Sequence, residues 1–278
     1  MRKVIYLAFA TFLIGCSSSE SPVQKKADLI IYSGITMVRP LNVLVTEFEK
    51  KNNVNIELKQ GATGYLYGTI QSERTGDIFF PGSDSYRLND QTNGIFKDHV
   101  FVGYNRLAIV TQKGNPKHLS NDIQQLTNPK YSVVLSAPDS SAVGQTSKKA
   151  LDKMGITHTV YDNVTYFTTD SHRIFTAIRK GDADIALNWY ATTKWPETKD
   201  FMDAIVLPEN VSKPKTLELN LLSFSQNPTL AKQFMKFASS KHGLEVFAEY
   251  GFLTPSELTK TIKNLHSAHA ENKQVEAK

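Results

Sequence analysis

The sequence of residues 29–80 is LIIYSGITMVRPLNVLVTEFEKKNNVNIELKQGATGYLYGTIQSERTGDIFF. It contains three short runs with the length and pattern of strands, at residues 29–32, 54–58 and 77–80. Between these runs apolar side chains recur at helical spacing, at Leu41, Leu44, Val45 and Phe48 and then at Leu66 and Ile70. The alternation of strand and helix predicts a parallel sheet with helices packed against it.

The same alternation returns in the second half of the chain. The pattern predicts strands near residues 132–135 and 184–190, and helices over residues 144–154 and 173–180. Two longer strand candidates, residues 100–111 and 216–225, flank this half, and two further helices follow them. These flanking strands are where a chain would cross between two halves.

We therefore expect an α/β fold of two lobes, each a mixed sheet flanked by helices, joined by a two-stranded hinge. Lobe 1 is predicted to comprise residues 29–103 and 219–265, and lobe 2 residues 104–218. A polar tether is predicted at residues 17–28 and a disordered polar tail at residues 266–278.

The first sixteen residues form a distinct segment. A positively charged start is followed by an apolar run over residues 4–14, interrupted only by Tyr6 and Thr11. The run is too short to span a bilayer, which takes about 20 residues, but suits a secretory signal. Leu13-Ile14-Gly15-Cys16 resembles a bacterial lipobox, which implies a signal peptide over residues 1–16 and a lipid anchor on Cys16. The alternative is a buried N-terminal strand that contains a cysteine by chance.

Composition and motifs exclude several classes of function. The net charge is +5, but Lys and Arg are scattered, so a nucleic-acid groove is not expected. The chain has no GxGxxG, Walker loop or Gly-x-Ser-x-Gly elbow, so we expect neither an enzyme nor a cofactor. His266 and His269 have metal-compatible spacing but lie in the polar tail without acidic or thiol partners, so no metal site is predicted.

Four loops carry small or hydroxyl residues directly before a predicted helix. Free N–H groups and the macrodipole at a helix start favour an anion, and Thr36 and Thr63 can add hydroxyl donors. The alternative is that these Ser and Thr residues only cap their helices. The four loops are residues 33–36, 61–64, 140–144 and 168–172.

The stretch 29–84 resembles the molybdate-binding protein family, periplasmic components of ABC importers with a type II two-lobe fold. The likeness continues at residues 142–144, 177–181, 184–190 and 249–252. The resemblance implies hydroxyl ligands at Thr36 and Thr63. It also implies backbone amide contacts at Val143 and His172 and a tyrosine hydroxyl donor at Tyr190. It also makes Ile35, Gly64 and Gly144 candidates for further ligand contacts.

This sequence departs from the family pattern at several site positions. The family usually has Ser at 36 and 63, a run of Ala at 33–35, and an aliphatic residue where this chain has His172. These changes alter pocket size and polarity, and His172 with Arg173 favours a more protonated, larger or organic anion. Ferric iron, bound through Tyr65, Tyr67 and Tyr190, is a further alternative.

The sequence thus predicts a monomeric, lipid-anchored solute-binding protein of the periplasm or cell surface. We expect it to capture a tetrahedral oxyanion, molybdate or tungstate first, by closing its lobes, and to deliver it to an ABC permease in the inner membrane. Sulfate, phosphate, a phosphonate, another organic anion or ferric iron remain alternative solutes. A sensory lipoprotein that signals to a membrane receptor is the alternative role.

Overall fold

A computed structural model describes residues 26–90 and 93–276, with residues 266 and 268–276 described by their backbone alone. The predicted signal peptide, Cys16 and most of the predicted tether lie outside the described residues. No helix in the described part of the chain is both long enough and apolar enough to cross a membrane.

The strands and helices alternate much as the sequence predicted. The strands are β1 (Leu29–Gly34), β2 (Ile56–Gly61), β3 (Ile78–Phe80), β4 (Phe96–Asn105), β5 (Leu107–Gln112), β6 (Val133–Ser136), β7 (Val164–Thr168), β8 (Ile185–Trp189), β9 (Met202–Val206) and β10 (Lys215–Leu222). The helices are α1 (Val38–Asn52), α2 (Thr63–Glu73), α3 (Ser85–Leu88), α4 (Ala142–Lys153), α5 (Thr157–Asn163), α6 (Ser171–Lys180), α7 (Pro228–Ala238), α8 (Lys241–Glu249) and α9 (Pro255–Glu276). Short 3₁₀ turns occupy Ile35–Met37, Ile123–Thr127 and Tyr190–Lys194.

The strands form two five-stranded sheets with matching topology. The first sheet has the order β2-β1-β3-β10-β4 and the second the order β7-β6-β8-β5-β9. In each sheet the first three strands are parallel, and the fourth, β10 or β5, runs antiparallel to both neighbours. The prediction of two mixed sheets flanked by helices is confirmed. We call the part built on the first sheet lobe 1 and the part built on the second sheet lobe 2.

The crossings between the lobes lie a few residues from their predicted places. The apolar run at 100–111 is divided between β4 in lobe 1 and β5 in lobe 2, with Arg106 alone between them. The return crossing is residues 207–214, so Lys215–Leu222 belongs to lobe 1 from its first residue. The prediction of one strand over residues 100–111 overlooks the polar pair Asn105-Arg106, which interrupts the apolar residues at this crossing.

Helix α9 is longer than the short helix expected after residue 256. It continues to Glu276 and takes in most of the segment predicted to be disordered. The sequence of residues 266–276 has no Gly or Pro and is rich in Ala, Glu, Lys and Gln, which are good helix formers, so the helix has no local reason to stop.

Lobe 1 packs its terminal helices against one face of the first sheet. Phe48 of α1 meets Phe234 of α7 edge to face, with ring centroids 5.3 Å apart. Phe80 of β3 meets Phe247 of α8 in the same way at 5.7 Å. Burial of each such ring stabilises the fold by roughly 1.5–3 kcal/mol, which secures the C-terminal helices to the N-terminal sheet.

A buried carboxylate joins the two halves of lobe 1. Asp77 is 5% exposed, and its Oδ2 accepts the backbone N–H of Ile30 at 2.9 Å. Its Oδ1 accepts the Ser225 hydroxyl and the N–H groups of Gln226 and Asn227, just before α7. One side chain therefore satisfies polar groups from β1 and from the segment that follows β10.

We expect Asp77→Ala to lower the free energy of unfolding by about 3 kcal/mol, because it leaves buried donors without an acceptor. Urea denaturation followed by circular dichroism measures the loss. Asp162→Ala is the control, since that carboxylate is 71% exposed. Equal stability of the two variants would contradict the role given to Asp77.

Candidate functional site

Four strand ends lead into four helix starts at the junction of the lobes. In lobe 1 the parallel strands β1 and β2 end side by side, with Gly34 paired with Gly61. In lobe 2 the parallel strands β6 and β7 end side by side, with Ser136 paired with Thr168. The loops that follow enclose a small cavity of about 10 Å³ for a water-sized sphere. Its lining comes from both lobes and includes Thr36, Thr63, Gly82, Ser141, Val143, Asp170, Ser171 and Trp189.

The two helix starts of lobe 1 have no side-chain cap. Neither Gly34, before the Ile35–Met37 turn, nor Ala62, before α2, accepts a hydrogen bond with its side chain. The first N–H groups of a helix have no partner inside it, and both of these helix starts border the cavity through Ile35 and Ala62. The hydroxyl residues Thr36 and Thr63 line the same cavity and are only 3% and 5% exposed.

The two helix starts of lobe 2 are capped, but only in part. The Ser141 hydroxyl accepts from the N–H of Gly144 at the start of α4. The Asp170 carboxylate accepts from the N–H groups of His172 and Arg173 at the start of α6. The Ser141 cap takes up the third N–H of α4, and the Asp170 cap takes up the second and third of α6. Val143 and Ser171, whose N–H groups come before the capped ones, line the cavity.

Direct hydrogen bonds hold the two lobes together across the cavity. The Thr36 hydroxyl donates to the Ser171 hydroxyl at 3.1 Å. The N–H of Gly64, in the first turn of α2, donates to the carbonyl of Ser140 at 2.9 Å. A Cβ on Gly64 would lie 2.5 Å from the carbonyl oxygen of Asp139, so only glycine allows this approach.

Farther out, an aromatic and ionic contact links the lobes. The guanidinium of Arg39, on α1, lies 3.9 Å from the ring centroid of Trp195 and pairs with Glu197, both from lobe 2. The Trp195 indole donates to the carbonyl of Thr36 at 3.3 Å, and its ring stacks on His172 with centroids 6.0 Å apart. Burial would raise the pKa of Glu197, but hydrogen bonds from its backbone and from Arg39 outweigh this effect and lower it.

The electrostatics of the cavity come from neutral donors. Asp170 is the one charged side chain among the described residues that line it. That carboxylate already accepts the two α6 N–H groups and the Thr169 hydroxyl, so its charge is largely compensated by the helix start. The arrangement can solvate a small anion through N–H and O–H groups without a cationic partner.

Comparison with known proteins agrees with this geometry. The model of the family described as bacterial extracellular solute-binding protein matches residues 29–253. The chain belongs to this family. YvgL of Bacillus subtilis, described as an ABC transporter substrate-binding lipoprotein, is 22% identical over 90% of this chain and 97% of its own length. The molybdate-binding protein ModA of Mycobacterium tuberculosis is 22% identical over 86% of this chain and 89% of its own.

The fold of this solute-binding protein is also seen in solved structures. The periplasmic molybdate-binding protein of Azotobacter vinelandii superposes with a TM-score of 0.70 at 15% identity, covering 82% of this chain and all of that one. The likeness at this identity concerns the fold, and it confirms the type II two-lobe arrangement.

The structure brings half of the candidate ligand residues of this solute-binding protein to the cavity. Thr36, Thr63, Val143 and Ile35 all line it. The remaining amide candidates are engaged elsewhere. The N–H of His172 donates to Asp170, that of Gly64 to Ser140, and that of Gly144 to Ser141.

Tyr190 lies outside the cavity, contrary to the expectation from the family resemblance. Its ring packs against Gly251, with the Lys194 ammonium 5.1 Å from the ring centroid, in a separate pocket beside Arg106. The neighbouring Trp189 lines the cavity instead. Trp189 is the last residue of β8 and Tyr190 the first of the 3₁₀ turn that follows, so the chain leaves the strand between the two rings and they line different pockets.

The ferric alternative has no support in the arrangement of the tyrosines. Tyr65 is 61% exposed, the Tyr67 hydroxyl donates to Asp90, and Tyr190 lies in its separate pocket. Within the described residues no three His, Cys, Asp or Glu side chains come together as a metal site.

Sequence reasoning missed the contact of Arg39 with Trp195 and Glu197. Arg39 lies more than 150 residues from its two partners and no motif connects them, so only the folded lobes reveal the contact. Asp170 did carry a signal, because an Asp directly before a predicted helix is a frequent N-cap. Applied to residues 168–172, that signal would have shown that the N–H of His172 is occupied.

We expect Arg39→Met to loosen this contact, since it removes the cation over the indole and the pair with Glu197, which together contribute about 1–2 kcal/mol. Trp195 is fully buried, so acrylamide quenching of tryptophan emission should increase. Arg74→Met is the matched control, because Arg74 covers Phe224 within lobe 1. Unchanged quenching in Arg39→Met would show that the contact does not hold the lobes.

Proposed function

We propose that this solute-binding protein is the receptor of an ABC importer that closes its two lobes around a dehydrated oxyanion, and that it is not an enzyme. One observation carries the proposal: helix starts from both lobes converge on a single buried cavity lined by hydroxyl groups and uncapped N–H groups. Helix N-termini favour negative charge, and a buried anion without a lysine or arginine needs several such donors.

In the proposed complex the anion replaces a bond that the protein makes with itself. The Thr36 and Ser171 hydroxyls, now 3.1 Å apart, separate and both donate to the anion. Thr63 and the N–H groups of Val143 and Ser171 complete the donor set. Because the donors belong to both lobes, the anion stabilises the closed arrangement over the open one, as in hinge closure.

The name of YvgL and the Cys16 motif together support a lipid-anchored receptor. In this proposal the chain is exported, acylated at Cys16 and held at a membrane surface, from which it delivers its solute to an inner-membrane permease. Among inorganic oxyanions we place molybdate and tungstate first, because the relatives ModA and the Azotobacter vinelandii protein are named for molybdate.

A thermal-shift panel tests the proposal with molybdate, tungstate, sulfate, phosphate, phosphonates and ferric citrate. An anion present at about 1,000 times its Kd should stabilise the protein by roughly 4 kcal/mol and raise the Tm clearly. Thr63→Val should weaken binding about 10- to 100-fold, because a hydrogen bond to a charged group contributes roughly 1.5–3 kcal/mol.

Tyr190→Phe is the control for that variant, since its hydroxyl lies outside the cavity and the shift should be unchanged. A shift with ferric citrate alone, or none with any oxyanion, inorganic or organic, would overturn the oxyanion proposal. Loss of binding in Tyr190→Phe but not in Thr63→Val would overturn the donor set.

We expect Gly64→Ala to prevent full closure, because its methyl group would lie 2.5 Å from the Asp139 carbonyl oxygen. Small-angle scattering should then show no compaction on addition of the anion that gives the largest thermal shift. Gly68→Ala, on the same helix, has open space around its Cβ and should compact like the unaltered protein. Compaction of Gly64→Ala would show that closure does not require this approach.

A further inference from the structure

A second, much larger space adjoins the cavity. This groove has a volume of about 620 Å³ and is open to solvent. Ile35, Gly61 and Asp170 line both the cavity and the groove, so the two spaces meet at these residues. The rest of the groove follows α6 and the edge strand β7.

The cavity and the groove differ in the group that each can hold. As it stands, the cavity has room for about one water molecule, whereas the groove has the volume of a typical pocket for an organic ligand. A free inorganic oxyanion would use the cavity alone, and the groove would stay filled with water. A solute that carries the oxyanion on an organic group would occupy both.

The lining of the groove suits a polar organic group. Arg173 and Lys180 bring positive charge, and Thr168, Thr169 and Thr176 bring hydroxyl groups. The acidic Asp182 is already bound by the Tyr166 hydroxyl at 3.1 Å. The Asp170 carboxylate also lines the groove and lies 3.6 Å from Nε of Arg173, and the hydroxyls of Thr168, Thr169 and Thr176 donate to protein oxygens. Lys180 is thus the cation of the groove lining that has no ion pair among the described residues.

His172 adds an unmet polar group where the two spaces meet. Its ring stacks on Trp195 and makes a tilted contact with Phe175, and its buried Nδ1 has no hydrogen-bond partner among the described residues. A buried polar atom without a partner is costly, and a solute that reorders this region would relieve the cost.

We propose that the solute is an organic oxyanion, a phosphate monoester or a phosphonate, whose tetrahedral end occupies the cavity and whose organic part lies in the groove. This inference rests on the proposed oxyanion function. It assigns the groove along α6 as the part of the site that distinguishes solutes, while the helix starts recognise the oxyanion that they share.

Isothermal titration of the purified full-length protein tests the inference with glycerol 3-phosphate, 2-aminoethylphosphonate, inorganic phosphate and molybdate. We expect at least one organic probe to bind ten or more times tighter than inorganic phosphate and molybdate. Thr176→Trp, which fills the groove without touching the cavity, should remove that advantage and leave the inorganic anions unchanged. Thr259→Trp, on the exposed face of α9, is the matched control.

Lys180→Glu provides a second test that does not alter the packing of α6, because this side chain is exposed at the end of the helix. It should weaken the organic probes and leave molybdate unaffected. Equal or tighter binding of the inorganic anions, with no effect of either groove variant, would overturn this inference while the oxyanion function stands. Absence of binding by all four probes would overturn both.

Discussion

Backbone N–H groups at a helix start need an acceptor, and this chain directs several of them into the space between its lobes. In each lobe two parallel strands end side by side and two helices begin just beyond them. Ser141 and Asp170 satisfy part of this demand in lobe 2, and lobe 1 offers no side-chain cap at either helix start. The position of the cavity, its hydroxyl lining and its lack of lysine and arginine all agree with a site where helix-start N–H groups need an acceptor.

Close approach of the lobes imposes a second requirement, on side-chain size. Gly64 meets the backbone of residues 139 and 140, and a Cβ on Gly82 would lie 3.0 Å from Ala142. A Cβ on Gly34 would lie 2.8 Å from the Thr63 hydroxyl. Two contacts that stabilise the closed arrangement of the lobes lie around this region of small residues. They are the stack of Arg39 on Trp195 and the hydrogen bond from Gln145 to the Tyr86 hydroxyl at 3.1 Å.

The elements that the sequence predicts best are the fully buried strands. The runs that became β1 and β8 were located within two residues, because a strand buried on both faces is a continuous apolar run with polar ends. Thr36 and Thr63 could be found because each hydroxyl follows directly on a strand. The same reasoning fails at residues 189 and 190, where both residues are aromatic and only packing against Gly251 decides which one faces the cavity. It is less accurate at 100–111, where the predicted boundary after Gly103 comes before the polar pair Asn105-Arg106 at which the chain changes sheets.

Lobe 1 is built from two separate stretches of the chain and lobe 2 from one, and this difference affects folding during synthesis. Lobe 2 is assembled from one continuous stretch, so it can form as soon as residues 107–206 are available. Lobe 1 cannot, because β3 and β4 wait for β10, and the Asn220 amide that bonds the Phe79 carbonyl lies 141 residues further along the chain. Such distant pairing is slow to form. A chain synthesised from its N-terminus therefore keeps its first sheet incomplete until β10, at residues 215–222, has appeared.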